Sequence, residues 1–157
     1  MDGTVTEGRY LPAPRTRAAY MSLAPYDNDT IDILTDVCRE HEVYIITARS
    51  EPYGHRNIVD WFNKYAYYDK IKPAGIITSI EQPDKYQLAC DLKCDLMFDD
   101  SPNVYLEYVA YDPRTTDRPV KLHVMDNPNW VKNQELFIPN RITAWRQIIE
   151  TINHHTT

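Results

Sequence analysis

Apolar positions along the chain switch repeatedly between a helical period and short unbroken runs. From Asp27 or Asn28, both suited to capping a helix, Ile31, Leu34, Val37 and Cys38 recur at helical spacing until His41. Val43-Tyr44-Ile45-Ile46 follows as an apolar run rich in β-formers, the pattern of a strand covered on both faces of a parallel sheet. The alternation then repeats. Ile58, Val59, Trp61, Phe62 and Tyr65 mark a second helix, and Gly75-Ile76-Ile77-Thr78 a second strand. Pro83 at a first-turn position predicts a third helix through Tyr86, Leu88, Ala89 and Leu92, ahead of a strand at Asp95-Leu96-Met97-Phe98. Val104, Tyr105, Tyr108 and Val109 predict another helix, Val120 to Val124 another strand, and Ile142, Trp145, Ile148, Ile149 and Ile152 a C-terminal helix.

This alternation predicts an α/β layered domain with a mostly parallel sheet. Residues 5–26 break the pattern: they carry Pro12, Pro14 and Pro25, the charges of Arg9, Arg15 and Arg17, and no sustained period. They read as an ordered or semi-ordered loop, of a length that in compact domains belongs to lids and binding segments. Open parallel sheets bind ligands beyond the carboxyl ends of their strands, which directs attention to three polar clusters. Asp2-Gly3-Thr4 opens the chain, Thr47-Ala48-Arg49-Ser50 follows the strand at 43–46, and Asp99-Asp100-Ser101 follows the strand at 95–98. Lys85, opening the third helix, is a fourth candidate.

The length of 157 residues suits one core, so residues 1–157 read as a single domain. With 43% hydrophobic and 25% charged residues the chain falls in the globular class. Seventeen Lys and Arg against 23 Asp and Glu leave a net charge of −6, the wrong sign for a sequence-independent grip on nucleic-acid phosphates. No apolar run approaches a membrane span and no export signal opens the chain, so a cytoplasmic protein without a membrane partner is expected. Cys38, Cys90 and Cys94 are odd in number and lack CxxC pairing, which reads as reduced thiols. Only four glycines occur, so neither a Walker A nor a GxGxxG loop is present, and any phosphate chemistry must use another device.

Adjacent carboxylates after an apolar strand concentrate negative charge that a hard cation with oxygen ligands relieves, and magnesium fits best. Alternatively Asp99 and Asp100 cap the following helix, whose N-terminus favours carboxylates. Thr47 has its own local reading as a strand-end hydroxyl satisfying a backbone group, and Lys85 reads equally as a solvated lysine.

The ordered set Asp-Gly-Thr, strand-then-Thr, Lys, strand-then-Asp-Asp resembles the haloacid dehalogenase superfamily of phosphotransferases across nearly the whole chain. The resemblance implies a three-layer Rossmann-like fold with a mostly parallel sheet, here with a reduced cap at residues 5–26 and a truncated first strand. It implies that Thr47 hydrogen-bonds the transferring phosphoryl group and that Lys85 neutralises charge on it. Asp99 and Asp100 would hold Mg2+ with the backbone carbonyl of Asp2, and Asp2 would serve as general acid and base. The family nucleophile stands two positions before Asp2, ahead of Met1. The 157-residue chain is therefore expected to lack covalent turnover and to have a sheet that is gapped or repaired by another segment.

Ile45-Ile46-Thr47-Ala48-Arg49, Phe98-Asp99-Asp100-Ser101-Pro102-Asn103 and Asn140-Arg141-Ile142 with Trp145 resemble the deoxyribonucleotidase-like branch most closely. That implies a phosphomonoester hydrolase acting on a small phosphorylated substrate of the nucleotide kind, with Thr47, Ala48, Arg49 and Lys85 at the substrate. The short cap leaves open a polynucleotide-end phosphatase acting on a nucleic-acid end, and the missing nucleophile an inactive binding domain. Arg9, Arg15 and Arg17 are candidates for a substrate phosphate and Tyr10, Tyr20 and Tyr26 for stacking on a base, each with a plain surface reading beside it. Asp126-Asn127-Pro128-Asn129-Trp130 either turns the chain or contributes to the site.

Overall fold

The computed structural model describes residues 1–9, 11, 15–111, 119–127, 138 and 140–156. Among them the chain is mixed α/β, with short parallel strands in two small sheets. Strand β1 (Tyr44–Ile46) pairs in parallel with β2 (Gly75–Ile77), Tyr44 opposite Gly75 and Ile46 opposite Ile77. Strand β3 (Leu96–Asp99) pairs in parallel with β4 (Lys121–Val124), Leu96 opposite Lys121 and Asp99 opposite Val124. The single parallel sheet expected from the alternation is thus divided into two pairs, because β1 and β3 exchange no ladder bonds among the described residues.

Helices cover both faces of these strands. Ile45, Leu96 and Phe98 face one apolar cluster, built on Leu34 and Val37 of α2 (Thr30–Glu40), Ile58, Trp61 and Phe62 of α3 (Gly54–Tyr65) and the C-terminal helix Trp145–Thr156. Ile46 and Met97 face a second cluster, built on Tyr86 and Ala89 of α5 (Lys85–Asp91) and Val104 of α6 (Pro102–Ala110). Successive strand side chains point to opposite faces, so one run of apolar residues feeds two cores. The C-terminal helix is labelled α7 below.

Local chemistry sets the element boundaries. Asp29 rather than Asp27 or Asn28 stands at the N-cap of α2. The Asp27 carboxylate instead accepts from Asp29 N and Thr30 Oγ1, while its other oxygen accepts from Trp145 N at 2.8 Å, tying the starts of α2 and α7 together. Pro83 lies in a 3-10 turn (Gln82–Asp84) that leads directly into α5. Ser101 caps α6 by accepting from Asn103 N, with Pro102 in the first turn, where its missing N–H costs nothing. Helix α4 (Tyr68–Ile71) is too short to show a period, and it ends at Lys72 in the left-handed region.

Residues 5–26, expected as an ordered or semi-ordered loop, also hold a short helix and a bridge that were not anticipated. Thr6 bridges Pro25 in antiparallel fashion, and Thr16 caps a short helix α1 (Arg17–Met21). Anchors on α3 replace periodic burial: Trp61 Nε1 donates to Leu23 O at 2.8 Å, Lys64 Nζ to Met21 O at 2.8 Å, and Arg17 pairs with Asp60 at 3.0 Å. Tyr10 and residues 12–14 lie outside the described residues. No described helix is long and apolar enough to cross a membrane.

Two outcomes follow. Trp61→Phe keeps most of the ring but removes the donor to Leu23, so it is expected to lower stability by about 1–2 kcal/mol, and Trp61→Ala by about 3–5 kcal/mol, read as denaturant midpoints. No loss on Trp61→Phe would mean that the indole N–H contributes nothing. Burial pushes the Cys38 thiol up to about 11 and also raises Cys90 and Cys94. Because the thiolate is the reactive form, alkylation of Cys38 should climb about tenfold per pH unit from pH 8 to 10, without the levelling near 8.5 that an ordinary thiol shows.

Candidate active site

The first residues form a tight turn at one end of the strands. Met1 O accepts from the amides of Thr4, Val5 and Thr6 at 3.2, 2.9 and 3.3 Å. The turn needs Gly3 twice over: its φ is +76°, and a Cβ there would overlap the Asp100 carboxylate. Trp145 Nε1 donates to Thr4 O at 2.8 Å and fastens the turn to α7.

At the end of β1, Thr47 N continues the ladder to Ile77 O at 3.0 Å, and Thr47 Oγ1 accepts from Arg49 N at 3.2 Å. The hydroxyl therefore makes the local bond anticipated as its plain structural role. Ala48 is exposed, whereas Thr47 and Arg49 are buried. Arg49 forms a two-pronged pair with Asp2: Nε donates to Oδ2 at 3.0 Å and Nη2 to Oδ1. Its Cζ lies 4.0 Å from the ring centroid of Tyr20 on α1, a cation–π contact. Arg49 Nη1 is buried without a hydrogen-bond partner among the described residues.

Burial pushes the Asp2 carboxyl upward, but the bonds and charge of Arg49, helped by the amino terminus and Lys85, outweigh it and hold the pKa below its ordinary value. Asp2 is thus ionised at neutral pH. The Asp2 side chain retains 42% exposure, so solvent screens the pair and its contribution to stability is small.

At the end of β3 the charges are deeper. Lys85 Nζ at the start of α5 lies 3.3 Å from Asp99 Oδ2, and both side chains are 6% exposed. Asp99 Oδ1 accepts from Ser101 N at 2.8 Å, and Asp100 Oδ2 accepts from Asn127 Nδ2 at 2.7 Å. The amino group of Met1 lies among all four charged groups: burial and then Lys85 lower its pKa, while Asp2, Asp99 and Asp100 oppose them. Asp2, Lys85, Asp99 and Asp100 are therefore all within electrostatic reach of the Met1 amino group, and Thr47 is linked to Asp2 through Arg49.

Other candidates stand elsewhere. Arg9 is held by Glu7 and Ser22, Arg15 donates to Leu11 O, and Arg17 pairs with Asp60. Tyr26 donates to Asp126 O at 2.7 Å, and burial with Asp126, Asp27 and Asp100 pushes its phenol up to about 12. Arg141 reaches Asp126 at 3.4 Å. Asn127 and Tyr20 belong to the site more closely than their sequence context suggests. Asn127 had a signal, being two residues beyond the Met125 that extends β4, whereas Tyr20 sat among twelve tyrosines. Residues 128–130 of that segment lie outside the described residues.

The donor set suits a hard cation in type and falls short in number. Asp99 and Asp100 offer buried carboxylate oxygens, but Arg49 takes the Asp2 carboxylate. Among the described residues no three His, Cys, Asp or Glu side chains gather as a metal group. A third protein oxygen would come from the Asp2 backbone carbonyl, as the resemblance implies. Searches of family models, curated proteins and solved structures each returned no match to this chain.

Removing one partner of a buried pair strands the other charge. Lys85→Met is expected to destabilise the fold by about 3 kcal/mol, and adding Asp99→Asn should recover much of that loss, as measured by urea midpoints in a double-mutant cycle. Strictly additive losses would show that the pair does not interact.

Proposed function

We propose that this chain carries the site of a magnesium-dependent phosphomonoester hydrolase of the haloacid dehalogenase type, on a Rossmann-like scaffold, acting on a small phosphorylated substrate such as a nucleotide. The observation that carries the reading is Arg49, a buried guanidinium with an unmet Nη1, beside Thr47 and in one charge cluster with Lys85. A phosphate oxygen satisfies such a group with a charge-assisted bond. Asp99 and Asp100, with the Asp2 carbonyl, are the residues that would hold magnesium, which supplies neutralising charge to phosphoryl oxygens.

Each residue then has a task suited to its type. Lys85 offsets charge on the transferring group and Thr47 donates a hydroxyl to it; phosphoryl transfer relies mainly on such positioning and electrostatics. Asp2, ionised in its pair with Arg49, is ready to accept a proton from water. To donate a proton to the leaving group it must first lose Arg49, and a substrate phosphate that draws the guanidinium away removes the interaction that depresses its pKa. The attacking carboxylate in this reading stands two positions ahead of Asp2.

The test is phosphate release from deoxynucleoside monophosphates with magnesium. The 157-residue chain should release none, and a form extended ahead of Met1 by an apolar strand ending in Asp should turn over. In the extended form Asp99→Asn should cost about 100-fold or more, and Arg49→Met should raise KM about tenfold. Faster release from a phosphorylated oligonucleotide than from a mononucleotide would reassign the substrate to nucleic-acid ends. Nucleotide binding without release by the extended form would make this a binding domain, and robust release by the short chain would overturn the covalent mechanism.

A further inference from the structure

Toward the amino ends of β3 and β4, away from Asp99, an open groove of about 500 Å³ is bordered by β4 and α7. Its walls follow from the periods of the two elements. Lys121 and His123 alternate with Leu122 and so share one face of β4. Thr151, His154 and His155 stand at i, i+3 and i+4, on one face of α7. All five line the groove, and Tyr108 of α6 is the only other titratable side chain among the described lining residues. In a chain of net charge −6, one lysine and three histidines thus meet where no described carboxylate lines the wall. His155 also borders the space between the two sheets, but the carboxylates there, Glu40, Glu42 and Asp95, line that space and not the groove.

The His123 ring is held in place by the fold itself. It stacks on Phe98, its register partner on β3, with ring centroids 5.5 Å apart and planes 25° from parallel. Burial, and then the neighbouring His155, hold its pKa below the ordinary value. Two imidazoles this close repel when both are charged, and an anion between them removes that cost. His154 and His155 in the last turn also complement the negative end of the α7 dipole. That role is local to α7 and involves neither Lys121 nor His123. A cation fits the groove poorly: no described group of three His, Cys, Asp or Glu side chains suits a metal, and the Lys121 ammonium shares the face of His123.

We infer that this groove is an anion-binding site, separate from the charge cluster at the carboxyl ends of the strands, and that it takes a tetrahedral oxyanion such as a phosphoryl group. Lys121 supplies permanent charge, the three histidines supply charge on protonation, and the Thr151 hydroxyl supplies a neutral donor. A bound anion favours the imidazolium forms, so it raises the pKa of the histidines it touches, and its affinity falls as pH rises through that pKa. The inference is independent of the proposed hydrolysis.

The test is an NMR titration of the imidazole signals of the 157-residue chain between pH 5 and 8, in chloride and in sulfate at equal ionic strength. Sulfate keeps its charge across that range, so only the protein titrates. It should raise the pKa of His123 and His155 by about 0.5–1 unit, equivalent to about three- to tenfold tighter binding by the protonated form. Lys121 is exposed, so Lys121→Gln should fold normally and at least halve that shift, whereas binding at Arg49 would leave the Lys121→Gln shift unchanged. Inorganic phosphate and glycerol phosphate, compared at about pH 6, should both reproduce the effect, the tighter of the two identifying the source of the phosphoryl group. An unmoved His123, a shift that Lys121→Gln leaves intact, or signals perturbed by zinc and not by sulfate would overturn the inference.

Discussion

The free edges of β1 and β3 are the constraint on which the rest of the structure depends. Each strand completes its ladder on one side only, so the two cores meet across a space rather than through a shared sheet. Helices α2, α7 and α5 present apolar side chains to that space, which no described strand holds.

The same geometry accounts for the concentration of charge at one end. The carboxyl ends of β1 and β3 bring Thr47, Arg49, Asp99 and Asp100 to a common rim, and the Met1 turn delivers Asp2 between them. Lys85 reaches that rim because the 3-10 turn at Gln82–Asp84 starts α5 beside it. Gly3 is the steric condition for the arrangement, since only a residue without Cβ lets the turn pass against Asp100.

Much of the element order was legible because apolar runs of three or four residues bounded by polar strand ends carry a strong signal. The division of the sheet was legible only through the family resemblance, since periodicity reports what a strand packs against and says nothing about which strand lies beside it. Helix α1 escaped for another reason: Lys64 of α3 holds its last carbonyl and Trp61 and Tyr65 hold Leu23 just beyond it, contacts between distant positions that leave no local pattern. At the site, strand-end placement drew attention to Asp2, Thr47, Lys85, Asp99 and Asp100 from the chain alone. Asn127 was harder to weigh, because an Asn beside a Pro serves a turn as readily as a carboxylate. The pairing of Arg49 with Asp2 was hidden, for residues 47 positions apart become partners only once the strands are assembled.

On the proposed reading, that pairing bears on how the site would move from rest to work. Arg49 is buried and its guanidinium is stacked on Tyr20, so its position is set largely by packing. Asp2 is the exposed member of the pair and is held mainly by Arg49 in a partly solvated setting. A phosphate dianion presents more charge and more acceptor oxygens than one carboxylate, so it competes with Asp2 for the guanidinium. Once Arg49 turns to phosphate, the burial that already favours the neutral form of Asp2 is no longer outweighed by the guanidinium, and the carboxyl moves toward acid competence. Substrate binding and activation of the acid would then be one event, with the resting ion pair keeping Asp2 ionised until a phosphate arrives.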